Sequence, residues 1–304
     1  MCKGLVFHII HGSFVDGYGI RTTVFLKGCP LRCLWCCNPE GQRSIPELKY
    51  EEELCNGCGR CLSLCPVDAI RMVSDGDTAH VVIDRKICTD CLKCIGGCFT
   101  GALDQFGKWY TVDELFRIVR SDLPFYRASN GGVTIGGGEA SMQAEFTRAF
   151  IRKCRENRIH TALDTCGYTP TPESFACMEE ADLLLFDIKG LDPAAHLANT
   201  GVSNDMILAN FKRMDEIGKP MIVRFPLIHG YTETDESVER IADLIAGMRH
   251  VERVDLIAHH EYGKNKYPQL GMEYTMASPE YTDEQLLRIK QEFSRRGIKV
   301  QLGG

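Results

Sequence analysis

The pattern of hydrophobic and polar positions changes character twice along this chain. Leu5 to Ile10 and Thr22 to Leu26 are short apolar runs, and the second is rich in β-branched residues, so both are predicted to be strands. Cysteine dominates residues 46–107, where apolar runs are short. From Thr111 onward, apolar segments alternate with amphipathic ones, which predicts an α/β fold with a parallel sheet.

Two capping boxes mark helix starts in this alternating region. Thr111-x-x-Glu114 opens the first helix, and Thr282-x-x-Gln285 opens the last, which we expect to stop at Gly297. Between them, strands are predicted at residues 133–135, 160–164, 183–187, 221–225 and 254–258, helices near 142–157, 172–181, 205–217 and 235–248, and a final strand at 299–302. Repeated βα units of this kind favour a partial (β/α) barrel.

Composition narrows the possible settings of the protein. Its 304 residues, 44% hydrophobic and 25% charged, suit one large domain with a small extra module. We expect a cytoplasmic protein with no membrane contact, because no apolar run approaches the ~20 residues of a membrane span and the N-terminus lacks the features of a secretory signal. The net charge of −6 argues against nucleic acid as a partner. In a reducing compartment, the 16 cysteines indicate metal binding instead of disulfides.

The first cysteine group is Cys29-x3-Cys33-x2-Cys36, directly after the predicted strand at 22–26. Three thiolates can hold three irons of a [4Fe–4S] cluster and leave the fourth iron open for chemistry. A structural zinc site is the alternative, but zinc ligands usually come as paired C-x2-C units. The cysteines without a predicted role are Cys2, Cys37, Cys154, Cys166 and Cys177, of which Cys154 and Cys177 are expected to be buried thiols.

Two further cysteine segments form an internal repeat between residues 55 and 98. Their cysteines are Cys55, Cys58, Cys61 and Cys65 in the first and Cys88, Cys91, Cys94 and Cys98 in the second. The first has the C-x2-C-x2-C-x3-C-P spacing of two-cluster ferredoxins, in which the fourth cysteine binds the other cluster, so Cys98 is assigned to the first set and Cys65 to the second. The repeat has Phe99 where proline is usual. We predict a ferredoxin-like insert at 47–105, with 1–46 and 106–304 forming the barrel; the insert either relays electrons or is held together by its clusters.

Polar residues follow the predicted strands of the barrel. They are Gly137, Gly138 and Glu139, then Asp164, then Asp187 and Lys189, then Arg224, and finally His260. Active residues collect at the carboxyl ends of parallel strands in such folds, so these side chains are expected to form one site.

The loop from Asp16 to Arg21, with sequence DGYGIR, resembles a D-G-P-G-x-R signature in which Tyr18 replaces proline. With the cysteine motif, a Trp35 before the third cysteine, and GGE, DTCG and DIK motifs, the chain resembles the glycyl-radical-enzyme activating enzymes of the radical S-adenosylmethionine (SAM) superfamily, related to pyruvate formate-lyase activase. The resemblance covers essentially the whole chain. It implies a partial radical SAM barrel with an inserted two-cluster ferredoxin-like domain.

The resemblance also implies roles for individual residues. Cys29, Cys33 and Cys36 would hold the catalytic cluster, whose open iron SAM chelates, and Lys189 would face the SAM carboxylate. Glu139 would grip the SAM amino group, and Asp164 would bind SAM and a monovalent cation. The full set of cofactor-binding residues implied is Trp35, Gly137, Gly138, Glu139, Asp164, Asp187, Lys189, Arg224 and His260.

The implied reaction is reductive cleavage of SAM to a 5′-deoxyadenosyl radical, which removes hydrogen from a glycine Cα. The partner would be a glycyl radical enzyme of the lyase, dehydratase or decarboxylase type, with flavodoxin or ferredoxin as electron donor and the chain acting as a monomer. We expect the Asp16–Arg21 loop to contact the partner's glycine loop. The alternatives are a radical SAM enzyme acting on a small molecule or another macromolecule with auxiliary clusters, and a non-catalytic electron carrier.

Overall fold

The structure is a computed structural model that describes residues 2–76 and 78–303. Its strands are β1 (Lys3–Ser13), β2 (Arg21–Leu26), β3 (Glu47–Tyr50), β4 (Ile70–Asp75), β5 (Thr78–Ile83), β6 (Leu103–Phe106), β7 (Lys108–Thr111), β8 (Gly132–Gly137), β9 (His160–Thr165), β10 (Leu183–Asp187), β11 (Met221–Leu227), β12 (Val251–Ala258) and β13 (Val300–Leu302). Its α-helices are α1 (Val112–Arg120), α2 (Leu123–Ser129), α3 (Ala144–Glu156), α4 (Pro172–Glu180), α5 (Pro193–Thr200), α6 (Asp205–Glu216), α7 (Asp235–Ala246), α8 (Lys266–Gln269) and α9 (Asp283–Ser294). Short 3₁₀ helices lie at Pro39–Gly41, Glu52–Leu54, Leu62–Leu64, Lys93–Gly97 and Ala140–Gln143.

A nine-stranded sheet organises the described part of the chain, in the order β13-β12-β11-β10-β9-β8-β2-β1-β7. From β2 to β13 neighbouring strands run parallel, and β1 is antiparallel to both β2 and β7. The parallel sheet predicted from the alternating pattern is confirmed, and it forms a partial barrel. No helix within the described residues is long and apolar enough to cross a bilayer.

Alternation along the strands separates an outer face from an inner one. In β10, Leu184 and Phe186 pack outward into the main core beneath the helices. Leu183 and Leu185 face inward, where they join a small apolar cluster, and Asp187 continues the same face to the carboxyl end. Because side chains of a strand alternate between faces, every second residue of each parallel strand points into the barrel.

The helix boundaries follow the capping signals in the sequence. Both predicted capping boxes, at the starts of α1 and α9, are present with reciprocal hydrogen bonds. The helix predicted near 142–157 is a 3₁₀ turn followed by α3. Helix α5 was not predicted because its sequence PAAHLANT has little apolar periodicity; the Asp192 side chain caps it by accepting from the backbone N–H of Ala195 at 2.7 Å.

Residues 47–106 have a small core of their own. Strands β3 and β6 pair antiparallel, with Glu47 opposite Phe106, and bring the two ends of this segment together. Strands β4 and β5 form a hairpin within it. The buried side chains of this core are Leu48, Cys61, Ile70, Val81, Cys94 and Leu103.

Residues 14–20 cross the amino ends of the parallel strands. The Tyr18 hydroxyl donates to the carboxylate of Glu252 on β12, while the backbone N–H of Gly132 on β8 donates to the carbonyl of Ile20 at 3.3 Å. A Cβ at Gly19 would lie 2.4 Å from the carbonyl oxygen of Ser129, so glycine is required at this close approach. We call residues 14–20 the floor loop.

Candidate active site

A cavity of about 320 Å³ opens at the carboxyl ends of the parallel strands. We call it the rim cavity. The predicted site residues that line it are Cys29, Cys33, Trp35, Cys36, Gly137, Gly138, Asp164, Asp187, Lys189, Arg224 and His260. Residues from six strand ends therefore meet in one place, as expected for the carboxyl ends of parallel strands.

The cysteine loop after β2 is held by backbone hydrogen bonds from two directions. The N–H of Cys29 donates to the carbonyl of Gln42 at 3.0 Å, and the N–H of Arg32 donates to the carbonyl of Thr200, at the end of α5, at 2.7 Å. Burial raises the pKa of the Cys29 and Cys33 thiols to about 12. Metal binding at such thiols must displace their protons, which a multivalent iron cluster can do.

A third support comes from the segment around α8. The Tyr267 hydroxyl donates to the carbonyl of Cys36 at 2.8 Å, and Lys266 Nζ donates to the carbonyl of Cys37 at 3.1 Å. A Cβ at Gly263 would lie 2.5 Å from the Cys37 backbone. Glycine at 263 therefore allows the α8 segment to lie directly against the third cysteine.

Two ion-pair systems line the inner wall of the rim cavity. Arg224 Nη1 lies 3.0 Å from Asp164 Oδ2, and its Nη2 lies 3.5 Å from Asp16 Oδ1. Lys189 Nζ lies 2.5 Å from Asp187 Oδ2. Burial raises the pKa of Asp164 to about 6 although Arg224 opposes the shift. For Lys189, burial lowers the pKa but Asp187 and neighbouring thiols outweigh it, so its pKa is raised and the lysine stays charged.

The structure places Glu139 behind the cavity wall. It is fully buried, and its carboxylate accepts from the Ser141 hydroxyl and from the Cys166 N–H, both at 2.7 Å. The Thr165 hydroxyl lies 3.0 Å from both carboxylate oxygens. Glu139 thus joins the loop after β8 to the end of β9.

The glycines of the GGE motif lie directly on the cysteine loop. The Gly138 N–H donates to the carbonyl of Leu26 at 2.8 Å, and the Glu139 N–H donates to the carbonyl of Gly28 at 2.7 Å. A Cβ at Gly138 would lie 2.5 Å from the Gly28 oxygen. Only glycine permits this contact between the β8 loop and the start of the cysteine loop.

Two cavity-lining groups have polar atoms without partners. Within the described residues, Arg224 Nε and His260 Nδ1 are buried and make no hydrogen bond. Burial lowers the pKa of His260, so its ring is neutral near pH 7. Because buried polar atoms are normally paired, these two indicate a polar ligand in the rim cavity.

Arg21 is placed differently from the sequence-based expectation. It is fully buried, donating from Nε to the Thr134 hydroxyl at 2.6 Å and from Nη2 to the Val133 carbonyl at 2.7 Å. The expectation that it contacts a partner is therefore corrected: Arg21 fastens β2 to β8 inside the barrel. Asp16, by contrast, does line the rim cavity.

Each predicted cysteine quartet of the insert surrounds a small cavity of its own. One cavity is lined by Cys55, Cys58, Cys61 and Cys98, and the other by Cys65, Cys88, Cys91 and Cys94. The structure thus brings together the same sets that ferredoxin spacing assigns. Cys154 in α3 and Cys177 in α4 are buried, as predicted.

Several cavity residues were missed from the sequence. Cys166 and Phe25 line the rim cavity, and Lys266 and Tyr267 support the cysteine loop. The alternation of side chains along β2 could have predicted that Phe25 faces the cavity, because Phe25 lies two residues after Thr23 on the inward face of the strand. The sequence carries no comparable signal for Lys266 or Tyr267.

Comparison with known families agrees with this geometry. The model of the Radical SAM superfamily matches residues 91–245. That of a 4Fe-4S dicluster domain matches residues 54–102, and that of a 4Fe-4S single cluster domain matches residues 15–71. The matches cover the barrel strands β8 to β11 and the cysteine repeat.

Two similar proteins match almost the whole chain. An isethionate sulfite-lyase activating enzyme from Nitratidesulfovibrio vulgaris is 41% identical, with 94% of each chain covered. A trans-4-hydroxy-L-proline dehydratase activating enzyme from Clostridioides difficile is 37% identical, with 99% of each covered. The solved structure of Streptococcus suis SuiB, at 17% identity and a TM-score of 0.51, covers 64% of this chain and 44% of its own and shares the fold.

Proposed function

The chain belongs to the radical SAM superfamily and, within it, to the activating enzymes of glycyl radical enzymes, and we propose that the rim cavity is its active site. It is an oxidoreductase that cleaves SAM reductively and takes hydrogen from a glycine Cα of a partner glycyl radical enzyme. A [4Fe–4S] cluster with SAM bound supplies the electron and the radical for this chemistry. The observation that carries the assignment is the meeting of the three-cysteine loop with the polar strand ends in one cavity.

The residues of the rim cavity fit a three-cysteine cluster. Cys29, Cys33 and Cys36 would hold it, with Trp35 beside them. Their loop is fixed by three separate supports, so little ordering remains for metal binding to enforce. Three cysteine ligands would leave the fourth iron of a [4Fe–4S] cluster without a protein ligand, and SAM would bind there.

The same residues suit SAM as a zwitterionic ligand. Lys189 stays charged and would bind the SAM carboxylate. Gly137 and Gly138 leave room for the amino end, with Glu139 behind them. The unpaired nitrogens of Arg224 and His260 would meet polar groups of SAM.

We also propose that the rim cavity binds a monovalent cation. Asp164 and Asp187 face the rim cavity, and in the structure they are paired with Arg224 and Lys189 respectively. When Lys189 turns to the SAM carboxylate, Asp187 loses its partner. A monovalent cation between the two carboxylates would then balance their charge.

We assign residues 47–105 to a ferredoxin-like insert with two clusters. Its support is the grouping of each quartet around its own cavity and the match to a dicluster domain. Fully ligated clusters suit electron transfer, so flavodoxin or ferredoxin would deliver electrons through the insert. The competing role is purely structural, holding together a segment with few apolar residues.

We propose that the chain acts as a monomer. The partner's glycine would enter through the mouth of the rim cavity. The relatives activate lyases, dehydratases and decarboxylases, and we propose a partner of one of these types. Asp16 is the floor-loop residue that the glycine segment would approach. A deoxyadenosyl radical needs shielding from water, and the partner segment would provide it by filling the mouth.

The test is anaerobic electron paramagnetic resonance of the reconstituted enzyme with dithionite, SAM and the glycyl radical enzyme encoded beside it. We expect a glycyl doublet that Cys33→Ser abolishes and that the matched control Cys154→Ser retains, because Cys154 is buried in α3 away from the rim cavity. Cleavage of SAM without a doublet would reject that partner but keep the radical chemistry. Absence of both would overturn the proposed function.

A further inference from the structure

Asp90, between Cys88 and Cys91, stands where the cysteine repeat otherwise has glycine. Its counterpart in the first segment is Gly57, and both residues have left-handed backbone, with φ of 51° for Asp90 and 66° for Gly57. A side chain at such a φ is strained. The second segment therefore keeps a carboxylate at a position that favours glycine.

That carboxylate ties the second segment to the chain next to the catalytic loop. Asp90 Oδ2 accepts from Arg43 Nη1 at 2.7 Å, and Oδ1 accepts from the Leu48 N–H at 3.0 Å. Arg43 directly follows Gln42, whose carbonyl accepts from the N–H of Cys29. Two hydrogen bonds and one peptide step thus connect the loop of Cys88 and Cys91 to that of Cys29.

A second connection runs through Arg85, three residues before Cys88. Its Nη1 donates to the carbonyl of Leu48 at 2.8 Å, and its Nη2 donates to the carbonyl of Gln269 at the end of α8 at 2.7 Å. The same short segment carries Tyr267, which binds the carbonyl of Cys36. Both connections start in the second cysteine segment and end on the catalytic loop.

We propose that Asp90 is a positioning residue that fixes the second quartet against the catalytic loop. In this position, the cluster of Cys65, Cys88, Cys91 and Cys94 would transfer electrons directly to the catalytic cluster. The inference rests on the proposed function. With both clusters bound, one electron would leave the cluster held by the second quartet, which would be oxidised, and enter the cluster held by Cys29, Cys33 and Cys36, which would be reduced. A one-electron donor protein of the flavodoxin class would then reduce the second-quartet cluster again, and no proton would move.

The test compares Asp90→Gly and Asp90→Asn with Asp68→Gly. Asp90→Gly restores the residue of the repeat and removes the whole side chain, while the backbone can keep its positive φ without strain. Asp68 is the matched control: it too has φ 51° in a position whose repeat counterpart, Gly101, is glycine, and it is exposed. Iron content, with the same value expected in all three, checks that every cluster is loaded.

Two reductants separate this inference from the proposed function. Dithionite can enter the rim cavity, whereas a protein cannot fit in about 320 Å³. With dithionite, SAM and the partner, all variants should give wild-type glycyl radical; failure of the wild type here would count against the function itself. With reduced flavodoxin, freeze-quench electron paramagnetic resonance should show reduction of the catalytic cluster slowed by about tenfold in Asp90→Gly, the lower end of the losses seen when a side chain that supports a metal site is removed.

The spectrum of the reduced holoenzyme gives a readout independent of turnover. Magnetic coupling between the second-quartet and catalytic clusters should weaken in Asp90→Gly and persist in Asp68→Gly. Asp90→Asn, which can still accept from the Leu48 N–H, should lie between Asp90→Gly and wild type. Equal flavodoxin-driven rates in wild type and Asp90→Gly, or equal slowing in Asp68→Gly, would overturn the proposal.

Discussion

At the scale of single residues, Asp164 should control how SAM binding depends on pH. Its pKa is raised to about 6 by burial, well above the ordinary aspartate value near ~3.9. As pH falls through about 6 the carboxyl takes up a proton and loses its ion pair with Arg224. SAM that requires the ionised form then binds more weakly, by up to about tenfold per pH unit below the pKa.

Equilibrium dialysis of the cluster-loaded enzyme with labelled SAM between pH 5.5 and 8 would measure this. Asp164→Asn should bind more weakly at pH 8 and show a flat profile over the range. Parallel profiles for wild type and variant would assign the titration to another group.

Glu139 gives a second prediction for a single residue. It is buried behind the cavity wall, whereas the family resemblance assigns its carboxylate to the SAM amino group. Its carboxylate accepts from Ser141 and Cys166 inside the protein. Glu139→Gln places an amide NH₂ against one of these donors, so we expect a loss of about 1–3 kcal/mol in unfolding free energy. Thermal unfolding and SAM affinity should be measured together. Unchanged stability with lost SAM binding would instead place the Glu139 carboxylate on the SAM amino group.

Residue chemistry could be predicted from the sequence where the reaction dictates the residue type. Thiols for iron and the charged pair Asp187 and Lys189 were found in this way, and they do meet in the rim cavity. The burial of Arg21 could not be predicted, because it depends on which strand lies beside β2. The sequence pattern does not specify that the neighbour is β8, a strand more than a hundred residues away.

At the scale of elements, the α8 segment is predicted to stabilise the catalytic cluster through close contact. A Cβ at Gly263 would lie 2.5 Å from the backbone of Cys37. Gly263→Ala must therefore push the segment away and loosen the Tyr267 bond to Cys36, at a cost of about 1–3 kcal/mol. Iron analysis and the SAM-sensitive signal of the catalytic cluster should show selective loss of that cluster.

Gly247→Ala is the matched control for this element. A Cβ there meets its nearest neighbour, the Leu244 carbonyl oxygen, at 3.4 Å, an ordinary contact, and its backbone φ is −79°. It should leave the iron content and the cluster signal unchanged. Normal cluster content in Gly263→Ala would show that the α8 segment does not support the cysteine loop.

Elements with strong local signals were predicted well. The capping boxes of α1 and α9 and the apolar run of β10 are local features, and the structure contains all three. Helices α2, α5 and α8 were missed because they are short, and the positions of α5 and α8 also follow from contacts with the cysteine loop. Local propensity carries no information about such contacts.

At the scale of the whole molecule, a buried lysine joins the barrel to residues 47–106, the segment with a small core of its own. Lys27 is fully buried; its Nζ lies 2.7 Å from Glu47 Oε2 and also donates to the carbonyl of Glu40. Lys27→Met removes this partner of Glu47, whose carboxylate keeps Arg43 Nη1 at 3.1 Å, so we expect a loss of up to about 3 kcal/mol, the lower end for a broken buried pair. Anaerobic chemical unfolding would measure the loss.

Limited proteolysis near residue 47 would report loosening of the insert in the same variant. Lys264→Met removes the exposed pair with Glu261 and should cost less than about 1 kcal/mol. Similar losses in both variants would mean that the junction of barrel and insert does not depend on Lys27.

The large-scale organisation was partly available from the sequence. Alternation predicted the parallel sheet, and the ferredoxin spacing predicted the two quartets that the structure brings together. The crossing of the floor loop beneath the strands could not be predicted. Its bond from Tyr18 to Glu252 joins residues 234 positions apart, and nothing in DGYGIR indicates it.

The floor loop covers the barrel at the amino ends of the parallel strands, and the rim cavity opens at their carboxyl ends. On the proposed function, SAM and the glycine segment would both enter the rim cavity through its mouth, and whichever entered last would cover the other. Loading has to follow a fixed sequence, with SAM first and the protein partner second. Methionine and 5′-deoxyadenosine would then leave only after the partner withdraws, so that one encounter would yield one radical and the partner's departure would limit the rate of the next.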